Sequence, residues 1–279
     1  MRNPEVLSAM IEESGHTGRR RLDAFFEALR EAPRRVLMLD YDGTLAPFRL
    51  EPHKALPYPG VCELLDRVIA DSGTRLAIIS GRWIRDLIPM LELKRRPELW
   101  GTHGRERLWP DGRYEFAEIP RESHLALLEA DAWETQVRLL GGRVERKPAS
   151  LAIHWRGISA ARVDQIRDHV LEMWEKIEPR GDLDLRSFDG GMELVVRGCS
   201  KATAVNTILS ESGPGTVAAY LGDDLTDEDA LTALQGRGLG VLVSDAPHRT
   251  AADVWLRPPQ GVRAFLAQWV QICGGAEKS

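Results

Sequence analysis

The chain has 279 residues, 43% of them hydrophobic and 28% charged, and a formal net charge of −5. That length suits one large domain or two modest ones, and the composition is ordinary for a soluble globular protein. The acid excess argues against nucleic acid as the main partner, because phosphate backbones are held by concentrated Lys and Arg; runs such as Arg19-Arg20-Arg21 and Lys94-Arg95-Arg96 read as solvated faces.

No window approaches eighteen unbroken apolar residues, so no membrane span is expected. The N-terminal stretch carries Glu5, Glu12 and Glu13 and lacks the apolar core of a signal peptide. Cys62, Cys199 and Cys273 are scattered and without C-x-x-C spacing, which suggests neither a disulfide framework nor a zinc site. The expectation is a protein with reduced thiols in the cytoplasm, and a monomer.

Residues 1–34 read as a helical, peripheral lead-in without chemistry, with Leu22, Phe25, Phe26 and Leu29 at helical spacing. Val36-Leu37-Met38-Leu39 is a short buried strand that stops at Asp40, and Asp42-Gly43 begins a turn. Two carboxylates two residues apart therefore sit where a buried strand meets a loop. In an open α/β sheet the carboxyl ends of the strands are where ligands bind. An aspartate there can act as a nucleophile, and a second carboxylate nearby can be kept protonated as an acid. The plain alternative is a strand followed by an Asp-Gly turn.

The loop from Ala46 to Gly60 carries Pro47, Pro52, Pro57 and Pro59, which fix its path. Val61 to Ala70 is an amphipathic helix. Arg75 to Ile79 is a second short strand ending in Ser80-Gly81-Arg82. A serine hydroxyl and loop N–H groups at such a place can hold phosphate oxygens, although Ser-Gly is also an everyday turn. Fewer than forty residues separate Asp42 from Ser80, which leaves no room there for an inserted domain. Leu99 to Gly104 reads as a third strand with His103 at its glycine-flanked end.

From Tyr114 to about Val196 the pattern changes to a strand, a helix, two strands, a helix and two strands. The helices are placed at Ser123–Leu140 and Ser159–Ile177. The later strands are Gly142–Arg146, Leu151–Trp155, Leu183–Phe188 and Met192–Val196. Hairpin-like pairs between helices suggest an antiparallel sheet with two helices, an α+β insert suited to a lid. Alternation puts Glu145 and Lys147 on one face of a strand, and His154 and Arg156 on one face of the next. These groups could bind sugar hydroxyls or form solvated cross-strand pairs.

Lys201 opens a helix running from Ala202 to about Leu209, an electrostatically unfavourable place beside the helix dipole. Val217 to Leu221 is a further strand, running into Gly222-Asp223-Asp224-Leu225-Thr226-Asp227-Glu228-Asp229. Five carboxylates in seven residues at the end of a buried strand repel one another, so they raise some pKa values or call for a metal. Thr226 and Asp227 would also cap the next helix. Leu239–Val243, Val254–Leu256 and a helix at Gly261–Ile272 complete the core.

The D-x-D-G-T-L stretch from Asp40 to Leu45, Ser80, Lys201 and the acidic run stand in the order of the motifs of the haloacid dehalogenase (HAD) superfamily, which this chain resembles. The run Glu145-Arg146-Lys147 with His154-Trp155-Arg156, Glu193, and Pro47 with Pro52-His53-Lys54-Ala55 resemble the trehalose-6-phosphate phosphatases of that superfamily. The likeness extends from about Val36 to Asp229. It implies an α/β fold: a HAD-like Rossmannoid core with a mostly parallel sheet, plus a smaller α+β cap of the C2 type inserted late. The corresponding division is a lead-in over 1–34, core over 35–115, cap over 116–197 and core again over 198–279.

The resemblance also implies roles. Asp40 would be phosphorylated, Asp42 would be the general acid/base, and Lys201 would offset charge on Asp40 and the phosphoryl oxygens. Thr44, Ser80 and Gly81 would bind the phosphoryl group. Mg²⁺ would be held by Asp40, Asp42 through its carbonyl, and Asp223; Asp227 would support the metal's water shell and Asp224 could do either. Arg82, His103, Glu145, Lys147, His154, Arg156 and Glu193 would face the sugar, under a cap hinged near 105–120 and 197–200, with a structural ion pair as the alternative for Arg82. One departure is Lys201-Ala202, where the family has Lys-Gly. The function so implied is Mg²⁺-dependent hydrolysis of trehalose 6-phosphate in trehalose biosynthesis. Two alternatives stand beside it. One is a phosphatase of sucrose phosphate or mannosylphosphoglycerate, which the core motifs do not exclude. The other is a silent sugar-phosphate-binding regulatory module, against which the presence of Asp40, Lys201 and Asp223 speaks.

Overall fold

Short apolar strands alternating with amphipathic helices bury their apolar surface best as helices stacked on both faces of a sheet. The computed structural model describes residues 4–49, 51–70, 73–188, 190–223 and 225–274. In chain order the elements are α1 (Pro4–Glu31), β1 (Arg34–Leu39), α2 (Val61–Ala70), β2 (Thr74–Ile79), α3 (Ile84–Leu87), β3 (Glu98–Gly101), β4 (Glu106–Leu108) and β5 (Tyr114–Phe116). Then follow α4 (Arg121–Asp131), α5 (Glu134–Leu139), β6 (Arg143–Lys147), β7 (Ser150–His154), α6 (Ala160–Ile177), β8 (Leu183–Phe188) and β9 (Gly191–Val196). The chain ends with α7 (Lys201–Ser212), β10 (Thr216–Gly222), α8 (Glu228–Leu234), β11 (Leu239–Val243), β12 (Val254–Leu256) and α9 (Gln260–Cys273). It divides into two units, Met1–Glu115 with Ser200–Ser279, and Phe116–Cys199.

The first unit holds an eight-stranded sheet in the order β12-β11-β10-β1-β2-β3-β4-β5. The pairs β12–β11, β11–β10, β10–β1, β1–β2 and β2–β3 are parallel, whereas β3–β4 is antiparallel. β1 is buried on both faces, as its unbroken apolar run requires. Val36 and Met38 pack in one layer with Ala204, Val205, Ile208 and Leu231 of α7 and α8. Leu37 and Leu39 pack in the other with Leu65, Phe265 and Trp269. The strand order reverses at β1 and β10, the position where open α/β sheets form a ligand crevice.

The second half of α1 is not peripheral as expected. Leu22, Phe25, Phe26 and Leu29 are buried, and Phe26 meets Phe265 of α9 with ring centroids 5.2 Å apart. The strand at Tyr114 also differs: β5 is the last strand of the first sheet.

The second unit has a four-stranded antiparallel sheet in the order β6-β7-β9-β8. Its apolar face carries Val144, Leu151, Ile153, Met192 and Leu194, packed with Ile166, Val170 and Trp174 of α6 and Ala126, Leu127 and Ala130 of α4. The single helix expected over Ser123–Leu140 is two helices. The chain leaves helical geometry at Trp133 (φ −94°, ψ 4°), whose ring meets His169 of α6 edge-on at 4.7 Å. Tertiary packing of that ring outweighs the helical propensity of the segment.

A buried ion network ties β2, β3, β4 and α7 together. The Glu98 carboxylate accepts from Arg75 Nε (2.8 Å), Arg107 Nε (2.9 Å) and Trp100 Nε1 (2.8 Å). The Arg75 and Arg107 guanidinium groups continue to Glu211 of α7. Removing the Glu98 carboxylate would leave the buried Arg107 and the part-buried Arg75 sharing only the half-exposed Glu211, which costs on the order of 3 kcal/mol. Glu98→Ala is therefore expected to lower the urea unfolding free energy by about that amount; a loss under about 1 kcal/mol would contradict the network's importance.

Candidate active site

Register brings the candidate site residues together. Leu39 pairs with Leu221 on one side and Ile78 on the other, so Asp40, Gly222-Asp223 and Ser80 emerge at one end of three adjacent strands. The Asp40 N–H donates to the Leu221 carbonyl (2.8 Å), extending the ladder up to the functional side chain.

The centre is a buried cation between two buried acids. Lys201 Nζ donates to Asp40 Oδ1 and to Asp227 Oδ1, each at 2.7 Å. Lys201 is 4% exposed, Asp40 2% and Asp227 0%. The Tyr220 hydroxyl also donates to Asp227 Oδ1, and the Asp223 N–H donates to Asp227 Oδ2 (3.1 Å). Burial pushes the Asp40 pKa well above the usual carboxylate range; Lys201 pulls it down and Asp227 adds to the rise. Burial, then the charge of Asp227, pushes the Tyr220 hydroxyl well above its ordinary value. Lys201 is the first residue of α7 and Ala202 is helical, so this segment needs no glycine. The unfavourable helix-start position is offset by the two carboxylates.

Asp42 stands two residues on, in the turn after β1. Arg82 Nε and Nη2 donate to its Oδ2 and Oδ1, both at 2.6 Å, a bidentate pair that fixes the carboxylate's direction. Gly43 adopts φ +84°, and a Cβ there would lie 2.0 Å from Asp223 Oδ2, so only glycine lets the turn approach that carboxylate. Thr44 and Ser80 are both buried, and Ser80 Oγ accepts from the Arg82 N–H (3.1 Å).

Asp40, Asp223 and Asp227 each offer a carboxylate oxygen within 4.8 Å of the others. Asp40 Oδ2 and Thr44 Oγ1 are buried without a hydrogen-bond partner among the described residues. A buried acceptor of this kind, beside further carboxylates, suits a hard divalent cation with oxygen ligands. The residues present therefore fit Mg²⁺. Asp224 lies outside the described residues.

His103 is buried and lies against Gly81, where a Cβ would fall 2.6 Å from its ring. His103 and Thr102 both hold positive φ, 54° and 49°. Two contributors were missed in the sequence. Glu106, fully buried, accepts from Ile84 N–H (3.0 Å), Thr102 Oγ1 (2.8 Å) and the Tyr114 hydroxyl (2.9 Å), and so braces the turns after β2 and β3. Tyr220 holds Asp227. A lone tyrosine in a strand of small and aliphatic residues was the one available signal for it, and no signal marked Glu106.

In the second unit the strand alternation holds. Lys147 Nζ (2.9 Å) and Ser150 Oγ (2.6 Å) donate to Glu193 Oε1, and His154 Nε2 lies 2.7 Å from Glu145 Oε2. Arg156 lies along Gly190. Burial would raise the Glu145 pKa, but the His154 hydrogen bond and the Lys147 charge outweigh it and bring it down from 4.5 to about 2.

A family model described as trehalose-phosphatase matches residues 38–256. The trehalose-phosphate phosphatase of Mycobacterium marinum is 30% identical over 290 residues, covering 94% of this chain and 70% of that protein. The probable trehalose-phosphate phosphatase 3 of Oryza sativa is 29% identical, covering 89% and 74%. The C-terminal domain of the C. albicans trehalose-6-phosphate phosphatase has the same fold, with a TM-score of 0.73 at 21% identity, over 90% of this chain and 96% of that one.

The depressed Glu145 value has a measurable sign. Its folded pKa lies below its unfolded one, so the charged form stabilises the unit above about pH 4.5, and this is lost as pH falls towards about 2. Glu145→Gln is expected to lower unfolding free energy by about 1–2 kcal/mol at neutral pH, with the gap narrowing from about pH 4.5 to about pH 2. A gap independent of pH would exclude this charge contribution.

Proposed function

Since the chain belongs to the trehalose-phosphatase family, we propose that it hydrolyses trehalose 6-phosphate to trehalose and phosphate, with Mg²⁺, through an aspartyl-phosphate on Asp40. The observation that carries this reading is the buried Asp40 held by Lys201, with Asp42 fixed two residues away by Arg82.

An Asp40 carboxylate oxygen attacks phosphorus, and the bond from phosphorus to the sugar oxygen breaks. Asp42, once released from the Arg82 pair and protonated, gives that proton to the leaving sugar oxygen. It then takes a proton from the water that attacks the aspartyl-phosphate, which releases phosphate and restores Asp40. Thr44, Ser80 and the Gly81 backbone hold phosphoryl oxygens, and Lys201 offsets their charge. Mg²⁺, held by Asp40, the Asp42 carbonyl and Asp223 with Asp227 in support, would neutralise charge on the phosphoryl group. The polar sheet face of the second unit, with Glu145, Lys147, His154 and Glu193, and Arg156 in the turn past the end of β7 rather than on the strand as expected, reads the sugar as a cap domain would. No helix among the described residues is long and apolar enough to cross a membrane. A cytoplasmic monomer is the setting we assign.

Burial disfavours a charged Asp40, so Asp40→Asn is expected to keep or raise the melting temperature while turnover falls at least about 10³-fold. Substantial residual turnover would refute the nucleophile. Phosphate release from trehalose 6-phosphate, glucose 6-phosphate and sucrose 6-phosphate, with and without Mg²⁺, tests the substrate. Mg²⁺-dependent release from the trehalose ester alone is expected. Release from another ester would overturn the sugar assignment, and no release at all would favour a regulatory module.

A further inference from the structure

On β8 the residues Leu183, Asp184, Leu185 and Arg186 alternate as a half-buried strand should, but the pattern inverts at the end. Ser187 follows the apolar positions and Phe188 follows the polar ones. A phenylalanine is thereby placed on the sheet face that carries Glu145, Lys147, His154 and Glu193, away from the helix-covered core. Register puts it in one row with Gly191 and His154, beside the row of Arg186, Glu193, Ala152 and Glu145.

The ring is seated there by local geometry. A Cβ on Gly191 would fall 2.2 Å from Phe188 Cζ and 2.4 Å from Cε2, so the ring lies back across β9 in space that only glycine leaves. It meets the His154 ring at a centroid distance of 5.3 Å and an interplanar angle of 60°. His154 is in turn held by Glu145. Phe188 is half-buried. The Phe188 ring thus forms an apolar step bordered by the His154 imidazole and, beyond it, the Glu145 and Glu193 carboxylates and the Lys147 ammonium group.

A pyranose ring has the complementary surface. Its C–H groups form an apolar face that carries partial positive charge, which suits the negative face of an aromatic ring, while its hydroxyls project at the edge towards polar groups. We propose that Phe188 is a specificity-determining residue that stacks on a pyranose face of the sugar phosphate, with Gly191 as its seat and the Glu145–His154 pair as the adjoining hydroxyl reader. This rests on the sugar-phosphatase reading above.

The test compares kcat/KM for trehalose 6-phosphate with that for acetyl phosphate, which has no ring, in the full chain and in Phe188→Ala, Phe188→Leu and Phe188→Tyr. Phe188→Ala is expected to lower the ratio about tenfold, mainly through KM for the sugar ester. Phe188→Leu, which keeps bulk without an aromatic face, should also lower it, and Phe188→Tyr should restore it to within about twofold. An unchanged ratio in Phe188→Ala, or equal losses on both substrates, would overturn the platform while leaving the phosphatase reading intact. A wild-type chain that hydrolyses acetyl phosphate but no sugar ester would overturn the substrate reading, and the platform with it.

Discussion

The first unit is arranged around one buried cation. Lys201 reaches Asp40 at the end of β1 and Asp227 at the start of α8, both at hydrogen-bond distance. Three charges in a buried place are tolerated only because each is satisfied: Asp227 also takes the Tyr220 hydroxyl and the Asp223 N–H. Loss of Lys201 would leave both buried carboxylates uncompensated, whereas loss of one carboxylate still leaves the lysine paired. The same arrangement leaves one Asp40 oxygen without a donor among the described residues.

This requirement explains features away from the chemistry. α7 must present Lys201 at a fixed depth, and its other end is tied through Glu211 to Arg75 and Arg107. The turns after β2 and β3 are braced by the buried Glu106, and Thr102 and His103 hold left-handed backbone there. Sparsely populated backbone persists only where its surroundings over-determine it. Here those surroundings are Gly81, Gly104 and Glu106.

The second unit uses a different device. Its sheet has one face given to a hydrophobic core and one left polar, and the polar face is ordered by pairs between neighbouring strands, Lys147 with Glu193 and Glu145 with His154. From strand alternation alone these groups could bind sugar hydroxyls or form solvated cross-strand pairs. Register makes them cross-strand pairs, because β7 and β9 bring His154, Ser150 and Glu193 onto the same face as β6 brings Glu145 and Lys147.

Local signals were enough for the sequence to determine the apolar strands ending in Asp40, Ser80 and Asp223, the α/β class, the change of pattern after Tyr114 and the family resemblance. Period-two and period-3.6 patterns and short motifs report what a residue's near neighbours demand. Four things depended on the tertiary structure: the burial of α1 against α9, the break at Trp133, the attachment of β5 to the first sheet, and the bracing roles of Glu106 and Tyr220. Each depends on a partner distant in the chain: Phe265 for Phe26, His169 for Trp133, Ile84 for Glu106. Tyr220 needs Asp227 to be turned back towards it by Lys201. The sequence holds both members of each pair, but only the folded register sets them side by side.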